Sequence, residues 1–125
     1  MIGRDLVVIS ARPETSAILG EMLSGSPWKV RPCRSNGEGL RWLSVKGAAV
    51  VISEAELADG DWRDVLESIQ LLPEVPRLIV TARHADEQLW AEVLNLGGHD
   101  VLAQPFDKNE VARVLAAAHQ AAPRR

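Results

Sequence analysis

Residues 48–54 read AAVVISE, a run of small and β-branched apolar side chains that stops at a carboxylate. Such a run is a strand buried on both faces, the kind found at the centre of a parallel sheet. Open α/β sheets place their ligands at the carboxyl ends of these strands. Glu54 stands at that end, so its chemistry is the first functional question the sequence raises.

Working outward, short apolar runs alternate with helical periodicity. Leu6-Val-Val-Ile is a first strand, followed by Pro13 in the first turn of a helix that carries Ile18, Leu19, Met22 and Leu23 on one side. Residues 28–33 alternate apolar and basic side chains, as a strand nearer an edge does. Ser35-x-x-Glu38 has the form of a capping box for a helix with Leu40, Trp42 and Leu43 inward. After Glu54, an acidic turn-forming loop over 56–61 leads to a helix with Trp62, Val65, Leu66 and Ile69 at i, i+3, i+4, i+7. Leu78-Ile-Val-Thr81 is the fourth strand. Asp86 caps the next helix, which Gly97-Gly98 stops, and Val101-Leu-Ala is the fifth strand. Asp107-x-x-Glu110 opens a last helix with Val111, Val114, Leu115 and Ala118 inward, before a short tail ending Pro123-Arg-Arg. Five strands, each followed by a helix, predict an α/β fold: a doubly wound, flavodoxin-like five-stranded parallel sheet in one domain over residues 1–125, with its core at about 5–119. A closed barrel needs eight such units and about twice the length.

Composition narrows the function. With 46% hydrophobic and 25% charged residues the chain is an ordinary globular domain, and a net charge of −3 gives no general attraction to nucleic acid or anionic membrane. No apolar run is long enough to span a bilayer and the start lacks a signal-peptide pattern, so the expected location is cytoplasmic. The single Cys33 has no CxxC partner and reads as a small strand residue. His84, His99 and His119 lack metal-ligand spacing, and neither a metal nor a cofactor is expected. After the first strand, Ser10-Ala-Arg-Pro-Glu replaces the glycines that pyrophosphate binding requires, and Ser10 and Ser53 lack those of a nucleophile elbow.

The stretch VVISE with its acidic loop, then LIVTA, then LGGHDVLAQPF before a capped last helix, resembles the receiver domain of two-component response regulators. The likeness runs from residue 6 to about 118. In that family the third strand ends in a phosphoacceptor aspartate and two acids after strand one help hold Mg²⁺. A Ser or Thr ends strand four, an aromatic switch lies in strand five, and a Lys precedes a cis-proline.

Carried over position by position, the resemblance implies a degenerate member. The acid pair falls on Ser10 and Ala11, the phosphoacceptor on Glu54, the lysine on Gln104 and the aromatic switch on Val101; only Thr81 and Pro105 keep the pattern. A cis bond is expected at Gln104–Pro105. Phosphoryl transfer rests on positioning and charge neutralisation, so the loss of both acids and the lysine predicts a protein that is not an enzyme and not phosphorylated. Glu54 reads first as a solvated strand-end carboxylate. A sharper reading makes it a fixed mimic of a phosphorylated aspartate, and another joins it to Glu56, Asp59 and Asp61 around a cation. The resemblance implies protein partners, or a second copy, on the face formed by helix four, strand five and helix five, with Trp90, Val101 and Arg113 as contacts. Periodicity with Leu89, Val93 and Leu94 equally allows Trp90 to be buried. The competing functions are weak Mg²⁺-dependent phosphoacceptor activity and an unrelated flavodoxin-like enzyme using the strand-end crevice.

Overall fold

The computed structural model describes residues 4–121; residues 1–3 and the tail at 122–125 lie outside the described residues. In chain order the strands are β1 (Asp5–Ile9), β2 (Lys29–Cys33), β3 (Val50–Glu54), β4 (Glu56–Leu57), β5 (Gly60–Asp61), β6 (Arg77–Ala82) and β7 (Asp100–Ala103). The five longer ones form a parallel sheet in the order β2-β1-β3-β6-β7. Helices α1 (Pro13–Met22), α2 (Asn36–Lys46), α3 (Trp62–Ile69), α4 (Glu87–Leu96) and α5 (Lys108–Ala121) accompany them. This is the doubly wound, flavodoxin-like α/β sheet that the sequence predicts, with β3 at its centre and Ala48 and Ala49 buried just before it. No helix among the described residues is long and apolar enough to cross a membrane.

The two-residue period of a strand divides the core. Leu6, Val8, Val50, Ile52, Ile79 and Leu102 pack toward α1 and α5, where Leu19, Leu23, Val111, Val114, Leu115 and Ala118 meet them. The intervening Val7, Ile9, Val51, Leu78, Val80 and Val101 pack toward α2, α3 and α4. All four expected core residues of α3 are buried, Trp62 to 2% exposure. On α1 the apolar stripe is narrower than expected, because Thr15 takes one inward position and Ile18 turns outward at 45% exposure. Gly39 lies where α2 crosses β1: a Cβ there would sit 2.7 Å from Ile9 Cδ1, so the close approach requires glycine.

The stretch expected as a plain acidic loop contains a small antiparallel hairpin of β4 and β5, turned at Ala58 and Asp59, with Gly60 entering β5 at φ +138°. At its tip the Asp59 carboxylate accepts from Asn36 N at 3.0 Å and Gly37 N at 3.1 Å, capping α2 from outside. Those backbone donors, Asn36 first, hold its pKa below the usual carboxylate value. Asp61 caps α3 in a capping box with Asp64 and pairs with Arg63. Asp59 and Asp61 are therefore engaged at two helix starts and do not gather with Glu54.

Candidate functional site

Residues at alternate positions at the carboxyl ends of four strands lean to one side. Ser10 continues the parity of Leu6 and Val8, Glu54 that of Val50 and Ile52, Thr81 that of Ile79, and Gln104 that of Leu102, so all four project toward the α1 and α5 layer. There they form one hydrogen-bonded cluster around Glu54. Its Oε2 accepts from the Ser10 hydroxyl at 2.9 Å and the Thr15 hydroxyl at 2.6 Å. Its Oε1 accepts from Gln104 Nε2 at 2.9 Å. The same Gln104 nitrogen lies 3.2 Å from Thr81 Oγ1, and the Thr81 hydroxyl donates to the Leu102 carbonyl at 2.7 Å.

Arg12 closes the ring from the turn after β1. Its Nη2 donates to Gln104 Oε1 at 3.2 Å, and its Nε stands 3.7 Å from Glu54 Oε2 as an ion pair without a hydrogen bond. The backbone amide of Arg12 donates to Ser10 Oγ at 3.0 Å, and the single Ser10 hydroxyl proton goes to the Glu54 carboxylate, a stronger acceptor than the Arg12 carbonyl at 3.1 Å. The Glu54 side chain is 13% exposed. The solvated strand-end carboxylate expected from the sequence is thus replaced by a largely buried one whose oxygens are occupied. The physical reason is supply: two hydroxyls, an amide and a guanidinium converge on it, which compensates for the lost hydration.

Ser10, Glu54, Thr81 and Gln104 come together, whereas Ala11 is exposed and only lines the adjoining cleft. The Gln104–Pro105 bond is cis, as expected. Sequence reasoning misses Thr15 and Arg12. The signal that could have found them is position, since the turn and first helical turn after strand one lie against the strand ends. The cleft, of about 530 Å³, opens beside Glu54 between the turn after β1 and the loop after β6. No metal-holding group of three or more His, Cys, Asp or Glu occurs among the described residues. Carboxylates that would hold a hard cation are absent from Ser10 and Ala11, so the pocket does not fit Mg²⁺ as the family's acid pair would.

On the expected contact surface, Trp90 and Leu94 are one turn apart on the outer face of α4, 39% and 49% exposed, and Arg113 is exposed on α5. Val101 is corrected: it is 1% exposed and packed in the layer under α4, because β7 is covered on both sides and Val101 points inward to that layer. It offers no side chain to a partner. Buried Cys33 meets the site only through its carbonyl, which accepts from Ser10 N at 3.0 Å, while desolvation and then Glu38 push its thiol up to about 11, away from the reactive thiolate.

No family model matches the sequence, and no curated protein matches it. Solved structures do match. The signal receiver domain of an HD domain-containing protein from Pseudomonas fluorescens Pf-5 superposes with a TM-score of 0.85 at 24% identity, over 97% of this chain and 90% of that one. The receiver domain of a sensor histidine kinase from Pseudomonas aeruginosa PAO1, solved with magnesium coordinated in its active site cleft, gives 0.81 at 18% identity over 94% and 98%. The signal receiver domain of a signal transduction histidine kinase from Syntrophus aciditrophicus gives 0.81 at 17% identity over 98% and 94%. With these matches and the strand order already described, the chain has the fold of response-regulator receiver domains.

Proposed function

We propose that this domain is an atypical receiver that acts in signal transduction by binding other proteins, without being phosphorylated. The observation that carries the reading is the occupied Glu54 carboxylate. A phosphoacceptor must offer a free oxygen to the donor's phosphorus, with a metal and a cation neutralising the charge that develops. Here Oε2 takes two hydroxyl donors, Oε1 takes the Gln104 amide, and Ser10 and Ala11 stand where two acids would hold the metal. Gln104 donates hydrogen bonds but brings no charge. Contacts with a protein partner or a second copy are then left to the outer surface, for which Trp90 with Leu94 and Arg113 supply aromatic, apolar and guanidinium anchors.

A second reading has its own support. The Gln104 amide spans Glu54 Oε1 and Thr81 Oγ1, so a fixed carboxylate is already coupled to the end of β6 and to the β7–α5 connection. In that reading the domain is held permanently in one signalling state, and Glu54→Gln shifts partner affinity.

The deciding experiment is incubation with acetyl phosphate and Mg²⁺, followed by intact-mass spectrometry. An unchanged mass is expected. A stable adduct of one phosphoryl group mapped to Glu54 supports instead a receiver with residual phosphoacceptor activity.

A further inference from the structure

The cleft beside Glu54 has walls of Ala11, Ala55, Ala82 and Leu89, and its charged groups are unevenly committed. Glu54 spends both oxygens inside the protein. Arg12 gives Nη2 to Gln104, while its Nε is buried with no hydrogen-bond partner among the described residues. Across the opening, Arg83 and His84 follow β6 on an exposed turn, and neither side chain has a hydrogen bond or ion pair among the described residues. Glu56 is the other carboxylate of the lining and is exposed at the rim. Arg83 is thus the cationic donor left uncommitted in a cleft whose remaining surface is largely apolar.

We propose that this cleft binds a small organic monoanion, a carboxylate carried on an apolar ring or chain. A guanidinium meets a carboxylate through two parallel hydrogen bonds, and Arg83 is free to do so. The alanine and leucine walls bury the apolar body, and about 530 Å³ falls within the range of sites for small ligands. The cleft also lies where ligands collect in doubly wound sheets, beside the ends of β1 and β3, at which the chain reverses direction across the sheet. Arg83 offers one uncommitted positive charge beside the Glu54 and Glu56 carboxylates, which matches a single negative charge, whereas a dianion such as phosphate is repelled in the absence of a metal. The inference rests on the reading that Glu54 is not a phosphoacceptor, because a working phosphorylation pocket needs this space for its donor.

Full-length protein is titrated with benzoate and 2-naphthoate, with the uncharged benzamide and 2-naphthamide, and with inorganic phosphate, using amide chemical shifts and thermal melts. The carboxylates are expected to shift resonances around Ala11, Ala55 and Ala82, with 2-naphthoate binding more tightly than benzoate. The amides should bind about tenfold more weakly or worse, the loss of one charge-assisted hydrogen-bonded pair. Arg83→Gln, at an exposed position outside the Glu54 cluster, should cost the carboxylates about the same factor with an unchanged melt. Equal binding of amides and carboxylates, no binding by either at millimolar concentration, binding of phosphate alone, or full affinity in Arg83→Gln overturns the inference. Failure here with an unmodified mass after acetyl phosphate leaves the functional reading standing, whereas a phosphoryl adduct at Glu54 overturns that reading itself.

Discussion

The Thr15 hydroxyl donates to Glu54 Oε2 at 2.6 Å, tying the first turn of α1 to the end of the central strand across 39 residues. Thr15 is 1% exposed, so no water can replace its bond. Thr15→Val keeps the shape and removes the donor. It should destabilise the fold by about 1.5–3 kcal/mol, the range for a hydrogen bond to a charged group. Urea denaturation measures this, and a loss under about 0.5 kcal/mol would show that the contact carries no stability.

Glu54→Gln retains one acceptor oxygen and replaces the other with a donor facing donors. Either the Ser10 and Thr15 hydroxyls or the Gln104 amide lose their acceptor, and Arg12 loses its counter-ion. The expected cost is about 1–3 kcal/mol, accompanied by displaced Gln104 and Thr81 resonances. A variant as stable as the parent would mean that the cluster is sustained by the neutral groups alone.

Two glycines in helices should respond with opposite signs. Nothing lies within 4 Å of the place a Cβ would take at Gly20, so Gly20→Ala should gain about 0.5–1 kcal/mol from helix propensity. Gly39→Ala meets Ile9 Cδ1 at 2.7 Å and Cγ1 at 3.0 Å inside the core, and should lose about 1–3 kcal/mol by overpacking despite the same propensity gain. Equal shifts in the two melting curves would contradict the packing of α2 on β1.

Trp90→Ala separates surface from core. At 39% exposure the residue should contribute little to the melt, while self-association or partner binding weakens by more than about 1 kcal/mol. A melt lowered as for a core aromatic, by about 3–5 kcal/mol, would remove Trp90 from the contact surface.

His119 packs edge-on against Trp28 at 5.7 Å between ring centroids, with Arg4 over the same indole at 5.4 Å. Burial first and then the Arg4 charge push its pKa below the ordinary value. The unfolded chain therefore binds this proton more readily. Stability from the neutral ring is complete above the unfolded value of about 6.5 and declines as pH falls below it, levelling off below the folded pKa. His119→Gln should flatten that part of the stability-against-pH curve, and an unchanged slope would locate the acid sensitivity elsewhere.

Much of the fold is legible in the sequence because burial and period agree. The AAVVISE run, the α3 stripe and the N-caps at Ser35, Asp86 and Asp107 each act locally, and each occurs in the structure, although the box expected at Ser35 stays half-formed because Glu38 accepts from Arg34 N at 3.0 Å instead of from Ser35 N. The hairpin at 56–61 is not legible, since two-residue strands leave no pattern and the role of Asp59 depends on α2, far away in sequence. Glu54, Thr81 and Gln104 are found at strand ends. Their partners Arg12 and Thr15 belong to a turn and a helix, where hydroxyls and guanidiniums are ordinary surface residues until a carboxylate faces them. For Val101 the resemblance pointed to a contact surface, whereas counting along the strand from its neighbour Leu102 places it inward on the opposite layer of the core.

The shared parity of Ser10, Glu54, Thr81 and Gln104 also has a kinetic consequence. No pair of neighbouring strands suffices to assemble the cluster, because its members come from β1, β3, β6 and the exit of β7, and every slip of one residue turns a member to the opposite face. In a folding reaction the bonds to Glu54 therefore belong after the rate-limiting barrier, and substitutions there should quicken unfolding while leaving the folding rate nearly untouched.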